Sequence, residues 1–263
     1  MISGIYDNAK SDRVGRYKQL VRKKQRDKTG LMLVEGISAV EKLLENFPEF
    51  TQDVLVDIDL LERPRVAKTF NRFNHSKIAT RKVVDAISID AQGVVAIAKT
   101  SITVPLKKNT ASEVVVVLNN TQDPGNAGTI IRAAAALGVS EVLLVGESVD
   151  KWNAKVIRSS VGGIFQLPVI PVRRLNDAIR GLREKDYHII AADLYGTKTT
   201  PAKPLQEFKR PNKPLAFIFG NEAHGLTTDE INLTDECLYI ELNSGVESLN
   251  LSGAVHIFLY SLR

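Results

Sequence analysis

Three short segments of this 263-residue chain combine amide, carboxylate, hydroxyl and guanidinium side chains with glycine. They cover residues 119–132, 219–226 and 247–252, and each follows an apolar, strand-like run. The loops after the strands of an α/β sheet are where such folds bind ligands. Carboxylates and amides can orient a nucleophile or move a proton, and a guanidinium can stabilise developing negative charge. We therefore predict that the three segments form one site.

Read singly, each segment also has a plain structural interpretation. Asp123-Pro124 initiates a turn, which would leave Arg132 as an incidental cation on the helix that follows. Glu222 can act as a general base, an orienting carboxylate or a helix cap, and Ser248 or Asn250 can cap the last helix. These alternatives stay open for each segment taken alone.

Several classes of protein are disfavoured by what the sequence lacks. It has neither the three-glycine dinucleotide fingerprint nor the Walker phosphate loop, and no Gly-x-Ser-x-Gly elbow of a hydrolase. The four histidines show no paired ligand spacing, so we expect no metal. The single cysteine, Cys237, excludes an intramolecular disulfide. No run is apolar for the length of a membrane span, and we expect a cytoplasmic protein without a membrane partner.

The elements that must position these residues follow from the apolar runs. Continuous runs at 114–118, 141–145, 188–192, 214–219 and 238–242 alternate with helical segments. Such alternation predicts βαβ crossovers and a parallel sheet covered by helices on both faces. The C-terminal part of the chain is therefore expected to be a parallel-sheet α/β domain.

The N-terminal part predicts a second, smaller α/β unit. Its apolar runs lie at 31–36, 53–56, 78–80 and 93–98, with helix-like stretches between them and a short helix expected over 18–24. Residues 99–112 lack apolar periodicity and are rich in Thr, Ser and Lys, which is typical of a linker. The predicted domains are thus 1–98, a linker over 99–112, and 113–263.

Positive charge is concentrated at the start of the chain. The net charge is +5, and nine Lys and Arg residues between Lys10 and Lys28 are opposed only by Asp12 and Asp27. A cluster of this kind is suited to a polyanion such as RNA, because phosphate contacts supply most sequence-independent affinity. The alternative is a solvated, mobile terminus.

Taken together and in order, residues 120–132, 219–226 and 240–254 closely resemble the three signature motifs of the SpoU (TrmH-type) RNA 2′-O-ribose methyltransferases of the SPOUT superfamily. The resemblance extends to 158–163 and to Leu167-Pro168. The N-terminal unit looks like that family's substrate-binding domain. Nearly the whole chain is covered.

The resemblance implies an α/β fold whose C-terminal parallel-sheet domain contains a deep trefoil knot, preceded by a small α/β substrate-binding domain. It also implies a homodimer and S-adenosylmethionine as the cofactor, held largely by backbone groups around Gly220, Ile240 and Leu249. Glu241 departs from the family pattern, which usually has proline there, and Ala223 replaces a common glycine.

For the reaction, the resemblance implies methyl transfer to a ribose 2′-hydroxyl. Arg132 matches the family's proposed catalytic arginine and Asn126 its orienting partner, while Glu222, Ser248 and Asn250 match the remaining polar positions. An arginine is a poor base because its guanidinium stays protonated. We therefore expect Arg132 to bind an RNA phosphate and to stabilise the developing alkoxide.

The favoured function is an S-adenosylmethionine-dependent RNA 2′-O-ribose methyltransferase acting on ribosomal RNA. Transfer RNA is the alternative substrate. A non-catalytic RNA-binding or ribosome-assembly protein of the same fold is the alternative function, and a nucleotide-dependent oxidoreductase is a distant third. The sequence names neither the RNA nor the nucleotide.

Overall fold

The computed structural model describes residues 5–70, 73, 76–106, 113–245 and 248–262. The chain forms two compact units. Unit 1 contains the described residues up to Thr103 together with Trp152–Gln166, and unit 2 contains the described residues of Val104–Lys151 and of Leu167–Arg263. Of the predicted linker 99–112, residues 107–112 lie outside the described residues.

Helices and strands alternate along much of the chain in both units. The helices are α1 (Asp12–Gln19), α2 (Lys23–Thr29), α3 (Ile37–Asn46), α4 (Pro64–Phe70), α5 (Arg81–Ile87), α6 (Pro124–Ala136), α7 (Ala154–Ser159), α8 (Leu175–Arg183), α9 (Thr228–Ile231) and α10 (Leu251–Tyr260). The strands are β1 (Leu31–Glu35), β2 (Thr51–Asp57), β3 (Ser76–Ala79), β4 (Val94–Lys99), β5 (Val114–Asn119), β6 (Glu141–Val145), β7 (Val169–Val172), β8 (His188–Ala192), β9 (Ala202–Pro204), β10 (Leu215–Phe219) and β11 (Glu236–Tyr239).

Unit 1 is built on a four-stranded sheet in the order β1-β4-β2-β3. Strand β4 pairs antiparallel with β1 and β2, and β2 pairs parallel with β3. Helices α1 and α5 pack apolar side chains on this sheet, among them Val14, Tyr17 and Val84. The basic N-terminal segment is thus anchored by a hydrophobic face.

The helix predicted over 18–24 is wrong in its position. Helix α1 ends at Gln19 and α2 begins at Lys23. The break is held by Arg26, whose guanidinium donates 2.8 Å hydrogen bonds to the carbonyl oxygens of Leu20 and Val21. Arg26 is only 3% exposed, so one cation of the basic segment has a structural role.

Residues Trp152–Gln166 pack within unit 1, whereas the sequence pattern had placed them in the domain 113–263. Arg158 forms ion pairs with the buried Glu35 and, at 3.0 Å, with Asp90. Gly162 has φ +85°, and a Cβ there would lie 2.7 Å from the side chain of Lys42, so only glycine is accommodated. Contacts between residues distant in sequence decide this grouping.

Unit 2 is built on a seven-stranded sheet in the order β7-β6-β5-β10-β8-β11-β9. Every pair of neighbours is parallel, as predicted from the continuous apolar runs. All residues of β5, β6 and β10 are buried, which is typical of parallel strands covered on both faces. Phe219 is in register with Leu118 of β5 and Ala192 of β8, so these three strands end at one level.

Two strands of unit 2 were missed and one was misplaced. Strands β7 and β9 are short edge strands that contain Pro171 and Pro204, and proline weakens a strand signal. The strand predicted over 238–242 is instead β11, which ends at Tyr239. Its ladder partners end there as well, since Tyr239 pairs with Pro204 at the end of β9. The chain from Ile240 onward is free to form a loop.

Candidate functional site

The first of the three segments forms the start of α6 at the carboxyl end of β5. Asp123 is the N-cap, and its Oδ1 accepts a 2.7 Å hydrogen bond from the Asn126 N–H. Pro124 occupies the first turn, where its missing N–H costs nothing. This capping, expected from the sequence, turns the Asn126 side chain towards the loop after β10.

That loop, 220–226, is held rigidly by its own backbone. Asn221 and Gly225 exchange backbone hydrogen bonds of 3.2 and 2.9 Å, and Asn221 Oδ1 accepts one of 2.8 Å from Ala223 N–H. A Cβ on Gly220 would lie 2.2 Å from the carbonyl carbon of Gly225, so the turn requires glycine there. The loop therefore presents Glu222 to solvent in a fixed position.

Side chains from all three segments meet at this edge. Glu222 Oε1 accepts hydrogen bonds from Asn126 Nδ2 at 3.3 Å and from Asp123 N–H at 3.4 Å. Asn126 Oδ1 in turn accepts a 3.1 Å bond from Asn250 Nδ2. We call Asn126, Glu222 and Asn250 the amide-carboxylate cluster. Residues that are 96 and 124 positions apart in the chain are thereby in direct contact.

The capping interpretations turn out differently for the two later segments. Asn250 does cap α10, because its Oδ1 accepts a 2.9 Å hydrogen bond from Ser252 N–H. Its amide nitrogen donates to Asn126 at the same time. One atom of the Asn250 side chain therefore caps the helix, and another holds the amide-carboxylate cluster together. Glu222 does not cap the next helix: α9 begins after Thr227, which forms a capping box with Glu230.

The other predicted catalytic residues lie outside the cluster. Arg132 is exposed six positions beyond Asn126 on α6, roughly 9 Å along the helix axis. In the part of the chain that the structure describes, its guanidinium has no hydrogen bond or ion pair. Ser248 is exposed and immediately follows 246–247, which lie outside the described residues, as does Glu247 of the predicted segment.

Arg132 borders a groove between α6 and α10, which we call the α6–α10 groove. Its volume is about 720 Å³, and Ala133, His256, Ile257 and Tyr260 line it with Arg132. Tyr260 is 72% exposed and Ile257 is 43% exposed, so together they present adjoining apolar surface to solvent. The groove is largely apolar, with the arginine at its border.

Two of the predicted cofactor residues, Gly220 and Ile240, directly follow the carboxyl ends of β10 and β11. A cavity of about 370 Å³ is lined by Leu194, by Tyr239 and by the loop from Glu241 to Gly245. Ile240 begins this loop, Gly220 is buried at the end of β10, and Leu249 is exposed beyond the loop. The backbone N–H groups from Glu241 to Gly245 donate no hydrogen bond to any described residue. Such open backbone donors fit a ligand with several acceptor atoms, as S-adenosylmethionine has.

Asn221 is a residue for which sequence analysis proposed no role. Its Nδ2 donates a 2.8 Å hydrogen bond to the carbonyl oxygen of Asn120, which ties the loop after β10 to the loop after β5. Asn120 has a positive φ of 57°, a conformation that asparagine adopts more readily than most residues. The available signal was the position of two asparagines directly after two neighbouring strands.

Cysteine and metal chemistry find no support in the described residues. Cys237 is fully buried in β11, and burial together with the nearby Asp193 raises the pKa of its thiol to about 12. Across the described ranges, no group of three or more His, Cys, Asp and Glu side chains is arranged to hold a metal ion. Likewise, none of the described helices has the length and apolar character needed to cross a bilayer.

Unit 2 therefore belongs to the parallel α/β proteins that bind ligands at the carboxyl edge of the sheet. Its polar cluster lies where β5, the first strand of the sheet along the chain, is adjacent to the later strand β10. In open α/β sheets this kind of switch in strand order is the usual binding position. The site is thus defined by topology as well as by residue type.

The chain belongs to the SpoU rRNA methylase family, whose model matches residues 113–260. It is 31% identical over 257 residues, covering 98% of both chains, to the 23S rRNA (guanosine(2553)-2′-O)-methyltransferase RlmP of Bacillus subtilis. It is 27% identical to the 23S rRNA (guanosine-2′-O-)-methyltransferase RlmB of Salmonella typhimurium, covering 87% of this chain and 96% of that one. The crystal structure of AdoMet-bound rRNA methyltransferase from Sinorhizobium meliloti matches with a TM-score of 0.82 and 25% identity, covering 99% and 97% of the two chains.

Proposed function

We propose that this protein transfers a methyl group from S-adenosylmethionine to a ribose 2′-hydroxyl of 23S ribosomal RNA, at a guanosine. The observation that carries the proposal is the amide-carboxylate cluster at the carboxyl edge of unit 2, the edge that also holds the cavity, in a chain of the SpoU family. The choice of 23S RNA and guanosine rests on the two relatives that act on them.

The cofactor, when bound, supplies a methyl group on a positively charged sulfur. In this chain, the open N–H groups of the loop from Glu241 to Gly245, together with Gly220, Ile240 and Leu249, would hold it. Because these contacts are mainly with the backbone, they tolerate Glu241 in place of the family's proline. The residues present therefore fit the group.

The protein's own part in the reaction is to align the nucleophile. In-line displacement needs the 2′-hydroxyl held in one orientation, and rigid positioning of this kind contributes much of the rate. Asn126 is held from two sides, by Glu222 and by Asn250, so its amide is fixed before RNA arrives. Asn126 then orients the ribose, and Ser248 completes the polar surface from the adjoining loop.

Arg132 stabilises the charge that appears as the hydroxyl loses its proton. Its guanidinium stays protonated, so it acts as a cation and not as the base. It is exposed and has no acidic partner among the described residues, which leaves its donors available to an RNA phosphate and to the developing alkoxide. A phosphate oxygen or another nearby group accepts the proton.

A homodimer with a trefoil-knotted unit 2 is part of this proposal. The α6–α10 groove suits a second copy of the chain, because it exposes Ile257 and Tyr260 beside small alanines. A dimer formed there would place Arg132 at the interface. Light scattering should then give a dimer for the wild type and a monomer for Tyr260→Glu.

Unit 1 is proposed to bind the RNA through α1 and α2. Arg16, Lys18, Arg22, Lys24 and Lys28 are exposed, and the apolar face of α1 holds that helix against the sheet. Reversing several of these charges should weaken RNA binding and leave cofactor binding intact. Loss of cofactor binding first would contradict this assignment.

The cytoplasmic location predicted from the sequence agrees with a ribosomal RNA substrate and stays a prediction.

The proposal is tested by methyl transfer from labelled S-adenosylmethionine to unmodified 23S, 16S and transfer RNA pools. Wild type and Arg132→Ala are compared, and the product is mapped as a 2′-O-methyl nucleotide. Arginine-dependent labelling of guanosine ribose in 23S RNA is expected. Labelling of transfer RNA alone would make transfer RNA the substrate. Cofactor binding without labelling of any pool would mean that the RNA or its assembly state was wrong, and absence of cofactor binding would favour the non-catalytic RNA-binding protein.

A further inference from the structure

Two arginines lie at the same carboxyl edge as the amide-carboxylate cluster but have no part in it. Arg173 and Arg174 directly follow β7, whose last residue, Val172, is in register with Val145 at the end of β6. The Gly146 N–H donates a 3.1 Å hydrogen bond to the Val172 carbonyl oxygen. The two arginines therefore lie beside the start of the loop that follows β6.

Hydrogen bonds connect this corner to the loop that carries Glu222. The Glu147 N–H donates to Asn120 Oδ1 at 2.9 Å, and the Asn120 carbonyl oxygen accepts from Asn221 Nδ2 at 2.8 Å. Strand β7 is separated from β5 by β6 alone, which corresponds to roughly 10 Å at the usual strand spacing. Phosphates that flank a ribose held at Asn126 would therefore lie along the edge that carries the two arginines.

The charges along this edge make the two arginines unusual. Asp123, Glu147 and Glu222 all lie in the loops that RNA must approach. Arg173 and Arg174 are both exposed, and neither side chain has an ion pair or hydrogen bond in the described part of the chain. By contrast, Arg180 and Arg183 of α8 pair with Asp177 and Asp235 at 2.9 and 3.0 Å.

We infer that Arg173 and Arg174 bind phosphate groups of the RNA strand that flanks the methylated nucleotide. The two guanidinium groups offset the repulsion between the phosphates and the neighbouring carboxylates, and each can donate charge-assisted hydrogen bonds. They are RNA-positioning residues and do not contact the reacting atoms. This inference rests on the proposed function, since it assigns part of the RNA path to that site.

The test compares two double variants. Each removes two positive charges, one variant before the start of α8 and the other near its end. Arg173→Ala/Arg174→Ala changes the carboxyl edge. Arg180→Ala/Lys185→Ala is the control, because α8 returns the chain to the opposite edge in a β-α-β crossover and these residues are also exposed. Losing the surface pair of Arg180 with Asp177 has little effect on stability. Binding of unmodified 23S RNA made by transcription is measured between 50 and 200 mM salt, about the range in which phosphate contacts dominate.

For Arg173→Ala/Arg174→Ala we expect the Kd for RNA to rise at least tenfold, about 1.4 kcal/mol, with cofactor affinity unchanged. The slope of log K against log salt should fall by about 1.5, since each lost phosphate contact removes about 0.7 to 0.9. Equal effects in the control variant, or an unchanged salt slope, would overturn the inference. This test depends on RNA binding and not on methylation. If the wild type binds the RNA but does not methylate it, the proposed function is overturned and the inference about Arg173 and Arg174 is still decided by the binding data.

Discussion

Asp53 in unit 1 and Glu222 in unit 2 are both carboxylates in hydrogen-bonded clusters, but their surroundings differ. Asp53 is 4% exposed and binds the Tyr17 hydroxyl and the Lys77 ammonium, with Arg13 at 3.9 Å. Glu222 is exposed, and only its Oε1 accepts bonds from the described residues, at 3.3 and 3.4 Å.

The difference separates a cluster that holds a fold from one that can bind a ligand. A buried carboxylate must be satisfied by its neighbours, because an unpaired buried charge is very costly. Asp53 meets that condition, and it joins α1 to β2 and β3. Glu222 keeps one oxygen and part of its surface available. A cluster of polar residues does not by itself identify a binding site. A polar group identifies one when it is exposed to solvent and still has hydrogen-bonding atoms without a protein partner among the described residues.

The largest effect is expected for Arg132, the exposed cation on α6 beyond the amide-carboxylate cluster. Arg132→Ala should lower the single-turnover rate of methyl transfer about 100- to 1,000-fold, as expected for loss of a preorganised charge at a reacting centre. Cofactor binding should not change, because Arg132 lies on α6 and not in the loop from Glu241 to Gly245. Because Arg132 lies at the proposed interface, light scattering should confirm that the variant is still a dimer. Arg132→Lys tests the fork geometry of the guanidinium: full turnover in this variant would contradict it.

The comparison itself is tested by removing each carboxylate. Asp53→Ala leaves the Tyr17 hydroxyl and Lys77 without their acceptor and should destabilise unit 1 by about 3 kcal/mol. Glu222→Ala should alter the free energy of unfolding by less than about 0.5 kcal/mol while slowing methyl transfer. Urea unfolding followed by circular dichroism measures both. Equal destabilisation by the two changes would remove the distinction.

Asn250 allows capping and site geometry to be separated. Asn250→Asp keeps the Oδ atom that caps α10 but loses the Nδ2 donor to Asn126. We expect unchanged stability and a roughly tenfold slower reaction, in line with loss of one hydrogen bond. Asn250→Ala should show the same rate loss together with about 1 kcal/mol less stability. An Asn250→Asp enzyme as fast as wild type would mean that this residue is only a cap.

The smallest effect concerns the buried thiol of unit 2. The pKa of Cys237 is raised from 9.0 to about 12, so in the unfolded chain the thiol loses its proton first. The native state then binds more protons, and stability falls as pH rises from about 9 towards 12, by up to about 1.4 kcal/mol per pH unit. Denaturant unfolding of Cys237→Ala between pH 8 and 10 should show a shallower decline. An identical slope would contradict the raised pKa.

Much of unit 2 was predictable because its strands carry strong local signals. The runs ending at Leu118, Val145, Ala192 and Phe219 are continuous and apolar, which is typical of strands buried on both faces. The family prediction is confirmed by the match over 113–260. The edge strands β7 and β9 were not predicted, because they are short, contain proline and are paired on one side only.

The sequence by itself determined which residue types stand after which strands, and so which chemistry is available at the carboxyl edge. It also determined the caps, since Asp123 and Asn250 bind N–H groups two or three positions away. Tertiary structure alone decided that Asn126 contacts both Glu222 and Asn250, that Arg132 lies apart from them, and that Trp152–Gln166 packs in unit 1. Local signals reach only a few residues along the chain, whereas strand order and helix packing bring together groups separated by more than ninety positions.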